Sequence, residues 1–255
     1  MKRKNMATMV TCIALVGAVA VGGTLALLSQ QSNEVRNTFT VGEGYTANDI
    51  ILSEADVKQN FDGSYVENPL PTRKDDPVYT LNGKNRYKTN NYSDLVTGTT
   101  IFKDPMVTVA ANTPDSWVVA HIGTVDSAFA ESTFEAANAD WYKVTKGVDN
   151  KWTVATSPVG TAAEGKPEKI ATDTYYIYKQ VVTEDDTAQD LTKLFTTLKV
   201  NTTASADDVT NLTSMEVKAG LVQYVEGNNT VGTLTNEELN VIMNAVESKL
   251  AVNMQ

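Results

Sequence analysis

His121 is the only histidine in the 255-residue chain, and Cys12 is the only cysteine. A catalytic zinc takes three protein ligands, often two or more of them histidines, and the chain has no His-Glu-x-x-His segment. His121 would have to recruit carboxylates from distant strands while sharing a strand face with Trp117 and Val119. These residue types point to a packed or edge-exposed imidazole instead. A Ser-His-Asp triad would depend on the same His121, without a Gly-x-Ser-x-Gly elbow, and a Cys-His pair would depend on Cys12. Glycoside hydrolysis needs only two carboxylates at a fixed separation, which no sequence spacing rules out. Glu184-Asp185-Asp186 and Asp207-Asp208 are the densest acidic clusters. Both sit beside turn-forming residues and read as solvated loops. They lack the spaced Asp-x-Asp-x-Asp-Gly order of a strong calcium loop, which leaves room only for a weak site. Trp117, Trp141 and Trp152, with Tyr175, Tyr176 and Tyr178, have the chemistry of a carbohydrate platform, but their commoner use is core packing. The expectation is therefore no catalytic residue, no metal ligand and no cofactor: a non-enzyme.

The first residues supply more. Lys2, Arg3 and Lys4 precede an uncharged run to Leu28, the charge order of an export signal. The run is long enough to cross a bilayer as a retained anchor. Gly17, Gly22, Gly23 and Thr24 loosen its second half, however, and the small residues Thr24 and Ala26 suit a signal peptidase. Residues 1–26 are read as a cleaved signal, with export to the outside of the cell. Cys12 would leave with it, so the working chain would have no disulfide. The net charge is −10 and becomes three units more negative without Lys2, Arg3 and Lys4. Such a surface repels nucleic acid, and membrane contact is expected only through the uncleaved signal.

The elements that would position these residues are mostly strands. Val35, Asn37, Phe39 and Val41 alternate with Arg36, Thr38 and Thr40. Ile101–Ala110 holds Pro105 before the β-rich Met106-Val107-Thr108-Val109. The stretch from Trp117 to Ile122 is apolar on both faces and reads as a central strand. Tyr175–Val182 is a further strand, and Met215–Val225 puts Met215, Val217, Ala219, Leu221 and Val225 on one face opposite Glu216 and Lys218. Trp152, Val154 and Ala155 suit a hairpin arm. Thr235-Asn236-Glu237-Glu238 is a capping box opening a helix over 236–251, with Leu239, Ile242, Met243, Val246 and Leu250 as its apolar stripe. Ala188–Leu198 and Phe129–Ala139 are weaker helix candidates. Asn60–Asn91, with Pro69, Pro71 and Pro77, reads as an irregular surface excursion. Short strands separated by Asn, Gly, Asp and Pro make this a mainly β chain, an antiparallel β-sandwich with few helices.

In this order the segments resemble the TasA–camelysin family of exported proteins from Gram-positive bacteria. The resemblance rests on Gly22-Gly23-Thr24-Leu25-Ala26, Asn37-Thr38-Phe39-Thr40-Val41-Gly42, Lys103–Val109, Asp115–Val119, Tyr175–Lys179, Leu194–Val200 and Val217–Tyr224. It implies a jelly-roll-like sandwich over 42–255, cleavage by a SipW-type signal peptidase, and assembly into extracellular fibres of a biofilm matrix. Residues 27–41 would then leave their own domain, Val35, Asn37, Phe39 and Val41 completing the sheet of the next subunit as a donor strand. The partners would be further copies of the chain and other matrix proteins. On the residues alone, 37–41 reads first as the opening strand of its own sheet, because any edge strand shows this alternation; the resemblance is what raises the donor-strand reading beside it. That leaves a second reading, a monomeric extracellular module binding glycan or a surface protein through 60–91. Camelysin-type relatives imply a third, a metallopeptidase, which the single His121 disfavours.

Overall fold

The computed structural model describes residues 29–31, 45, 48–69, 73, 76–92, 94–135, 138–161, 168–204 and 215–250. The first strands are β1 (Ser29–Gln31), β2 (Ile50–Ala55), β3 (Val57–Gln59), β4 (Tyr65–Glu67), β5 (Tyr79–Leu81) and β6 (Lys84–Tyr87). Next come β7 (Thr100–Phe102), β8 (Met106–Val109), β9 (Ser116–Ile122), β10 (Trp141–Lys146) and β11 (Trp152–Val154). The last are β12 (Thr174–Tyr178), β13 (Gln189–Asp190), β14 (Thr197–Lys199) and β15 (Val217–Gln223), followed by helix α1 (Asn236–Leu250). Among the described residues they form three sheets, in the orders β1-β15-β9-β12-β10-β11, β13-β8-β2-β6-β5 and β14-β7-β4-β3. The pairings are antiparallel except for a short parallel contact of Tyr65 with Ile101. The chain is thus a mainly β sandwich with a C-terminal helix, as its alternation predicts.

Side-chain alternation along the large sheet builds two cores. Val118, Ala120 and Ile122 of β9, Tyr176 of β12, and Ala219 and Leu221 of β15 face the smaller sheets, packing with Ile50, Val107, Ile101 and Leu198. Trp117, Val119, Tyr175, Ile177 and Val222 point the other way, under Leu239, Ile242, Met243, Val246 and Leu250 of α1. Every residue of β9 is buried. A strand covered on both faces reads as a continuous apolar run, which is why this segment is recognisably central. Among the described residues no helix is long and apolar enough to cross a membrane.

Several segments differ from their sequence readings. Ala188–Leu198 is not a helix. Leu191 and Leu194 donate their backbone N–H groups to Val107 O and Pro105 O, both at 2.9 Å, and β13 and β14 flank them. Thr192, Thr196 and Thr197 are β-branched, and the neighbouring strand supplies the partners that an i−4 carbonyl would have supplied. Among the described residues of Phe129–Ala139, only a 3-10 turn at Ser127–Phe129 enters the segment. Phe134 N–H goes instead to Glu168 O at 2.9 Å. Asn60–Asn91 is not wholly irregular, since it carries β4, β5 and β6, and β6 joins the main body through β2. Asn82 and Gly83, at φ of 50° and 76°, form the two-residue turn between β5 and β6, a left-handed geometry that Asn-Gly favours. Val225 lies past the end of β15 and is exposed.

Candidate functional site

The large sheet ends at β15, and its outer edge is taken by β1. Ser29, Gln30 and Gln31 lie opposite Val222, Leu221 and Gly220. Helix α1 packs across β15, β1 and β11, so one side of that edge is walled by the helix. The sequence suggests no strand at 29–31, where β1 forms. Ser-Gln-Gln has no apolar alternation to announce a strand, because edge pairing through main-chain groups requires none. Thr24 and Ala26 of the expected cleavage region lie outside the described residues. So do the expected donor residues Val35, Asn37, Phe39 and Val41.

His121 sits mid-sheet, 1 % exposed, stacked on Tyr175 with ring centroids 4.3 Å apart. Its Nε2 donates to Asp173 Oδ1 at 2.9 Å, and Nδ1 is buried without a hydrogen-bond partner. Burial holds the imidazole below its ordinary value of 6.5, against the opposite pull of Asp173. Across the sheet lies Lys218, 3 % exposed, its Nζ donating to Leu250 O at 3.2 Å and pairing with Glu216 at 3.0 Å. A cation at the last carbonyls of α1 complements the helix dipole. Among the described residues no group of three or more His, Cys, Asp or Glu could hold a metal. Trp117, Trp141 and Trp152 are all buried. Trp141 Nε1 donates to Thr192 O at 2.8 Å and Trp152 Nε1 to Asn244 Oδ1 at 3.1 Å, which fits the core role.

A dense set of buried charges gathers where β2, β6 and the β7–β8 connection meet. Arg86 Nε donates to Ser53 Oγ at 3.0 Å and Nη1 to Asp104 Oδ2 at 2.9 Å; Nη2 reaches Ser53 O at 3.0 Å and Asp104 O at 2.8 Å. Asp104 also accepts from Ala55 N at 2.7 Å and pairs with Lys193 at 2.8 Å. Beside it, Lys103 Nζ donates to Glu54 Oε1, and both residues are buried. Asn90 donates from Nδ2 to Glu54 Oε2 at 3.3 Å and to Ala55 O at 2.8 Å. Its Oδ1 accepts from Arg73 Nη1 at 3.0 Å. A polar recess of about 190 Å³ opens nearby, lined in part by Asp56, Glu67, Asn68, Lys84 and Lys193. Its charges are already paired, Lys84 with Glu67 at 2.7 Å and Arg73 with Asp56 at 3.8 Å.

No family model, no curated protein and no solved structure matches this chain.

The sequence reading missed both the β1–β15 edge and the buried charges. For β1 there is no signal. For the charges there is a partial one: Arg86 and Lys103 stand next to residues with strand character, Tyr87 and Phe102, yet nothing local says that their partners lie across the fold.

Proposed function

We propose that this chain is a secreted structural protein of a cell surface or biofilm matrix that assembles into fibres by donor-strand complementation. The observation that supports it most is the edge of β15. Its covering strand is three residues long, comes from the N-terminal segment, and is separated from β2 by residues 32–49. Such a strand pairs through a few main-chain bonds beside the wall of α1 and can be replaced by the same segment of another copy. A head-to-tail exchange of this kind does not close on itself, so it propagates as a filament. Val35, Asn37, Phe39 and Val41 belong to the same segment and would supply alternate side chains to the acceptor groove. The resemblance to the TasA–camelysin family points the same way.

One observation favours a second reading. β1 lies on β15 of its own chain, so a single copy already covers its edge, as a monomeric extracellular binding module for glycan or a surface protein would.

Negative-stain electron microscopy of three versions, beginning at Leu27, Ser32 and Gly42, separates these readings. Filaments from Leu27 and none from Gly42 are expected. Filaments that persist from Ser32 assign donation to Val35–Val41, and their loss there assigns it to β1. Folded monomers from all three would sink the fibre reading in favour of the module.

A further inference from the structure

The Lys103–Glu54–Asn90 arrangement places an amine, a carboxylate and a carboxamide together, one on each of three separate segments. Lys103 lies between β7 and β8, Glu54 on β2, and Asn90 just after β6. Glu54 bridges the other two, one oxygen on Lys103 Nζ and the other on Asn90 Nδ2. Lys103 and Glu54 are 8 % and 5 % exposed, and the Tyr92 ring stands 5.9 Å from Nζ as an aromatic wall. Asn90 Oδ1 meets the Arg73 guanidinium at 3.0 Å while its Nδ2 is held by Ala55 O at 2.8 Å. Those two contacts fix which way round the amide sits.

We propose that Lys103 and Asn90 join through an intramolecular isopeptide bond, with Glu54 as the proton-transfer residue. Within the buried Lys103–Glu54 pair the ammonium passes a proton to Glu54, which frees the Nζ lone pair, while Asn90 is half-buried beside it. Nζ attacks Asn90 Cγ, and the charge that develops on Oδ1 is met by Arg73, a donor already aimed at it. Glu54 gives its proton to Nδ2, the Cγ–Nδ2 bond breaks, and ammonia leaves. The proton remaining on Nζ returns to Glu54. The products are one Nζ–Cγ amide, one ammonia and a protonated Glu54, with charge and atoms conserved. No oxidant or cofactor is needed. The bond would tie the segment after β6 to the β7–β8 connection. It would give this fold, whose described residues hold no cysteine, a covalent staple of another kind.

The test is the intact mass of the purified, folded protein, followed by peptide mapping under denaturing conditions. The expected mass is one ammonia below the sequence value, with a branched fragment joining the Lys103 and Asn90 peptides. Lys103→Arg, Asn90→Ala and Glu54→Gln should each restore the full mass. The unmutated protein decides the matter by itself, so a variant that fails to fold does not obscure the result. Full sequence mass in a folded sample, or ammonia loss at Asn90 without the Lys103 branch, would overturn the proposal. Neither outcome depends on whether the chain forms filaments.

Discussion

The guanidinium of Arg86 and the carboxylate of Asp104 are almost fully enclosed, with 4 % and 0 % of their side chains exposed. Removing one partner of such a pair strands the other charge in a medium that cannot solvate it. Asp104→Ala leaves both Arg86 and Lys193 without their carboxylate, and urea unfolding should show a loss of about 3–5 kcal/mol. The exposed Lys84–Glu67 pair, at 57 % and 34 %, is the contrasting case. Glu67→Gln should cost less than about 1 kcal/mol, because water screens that pair in the folded state. His121 makes the prediction for pH. Its folded value lies below 6.5, with burial the main cause, so below 6.5 the unfolded chain binds the proton more readily than the folded one. Stability should therefore be highest above that pH and fall on acidification towards the folded value. His121→Gln should remove this part of the slope in urea unfolding measured at stepped pH, and an unchanged slope would count against the assignment.

At the scale of elements, α1 shows how a local signal and a tertiary one combine. Glu238 N–H donates to Thr235 Oγ1 at 3.2 Å, while Thr235 N–H donates to Glu238 Oε2 at 2.8 Å, closing the capping box. Asn228 adds donors to the same carboxylate, and these hydrogen bonds push Glu238 down to about 2. That contribution is present above the ordinary value of 4.5 and is lost as the pH falls through the folded one. Thr235→Ala should lower stability by about 1 kcal/mol in thermal or urea unfolding. Met243 is fully buried between α1 and the sheet, and Met243→Ala should cost about 2–5 kcal/mol. Val241, on the outer side of α1 and 58 % exposed, should tolerate lysine within about 0.5 kcal/mol. Ala188–Leu198 shows the opposite balance. Its apolar residues do fall at helical spacing, and they are buried, but the edge of β8 captures their backbone.

For the whole molecule, the large sheet is the middle of three layers, with the two smaller sheets on one face and α1 on the other. Its outer strand β1 is three residues long and, among the described residues, is joined on one side only, by β15, so under the fibre proposal the β15 edge is where two copies would join. A chain beginning at Gly42 exposes that edge, and a labelled peptide covering 27–41 should bind it saturably in fluorescence anisotropy. No binding to a folded Gly42 chain would remove the edge as an acceptor.

The sequence alone determined the mainly β class, the central position of 117–122, the strand after Pro105 and the capped C-terminal helix. Each of these depends on a period or a cap that residues within one segment supply. Tertiary structure decided the rest. It placed Lys218 beneath the end of α1, gathered Glu54, Asn90 and Lys103 from three segments, and laid Ser29–Gln31 on β15. Long-range pairing of polar side chains and main-chain edges leaves no periodic mark in the segments that take part, so only the folded chain brings those groups together.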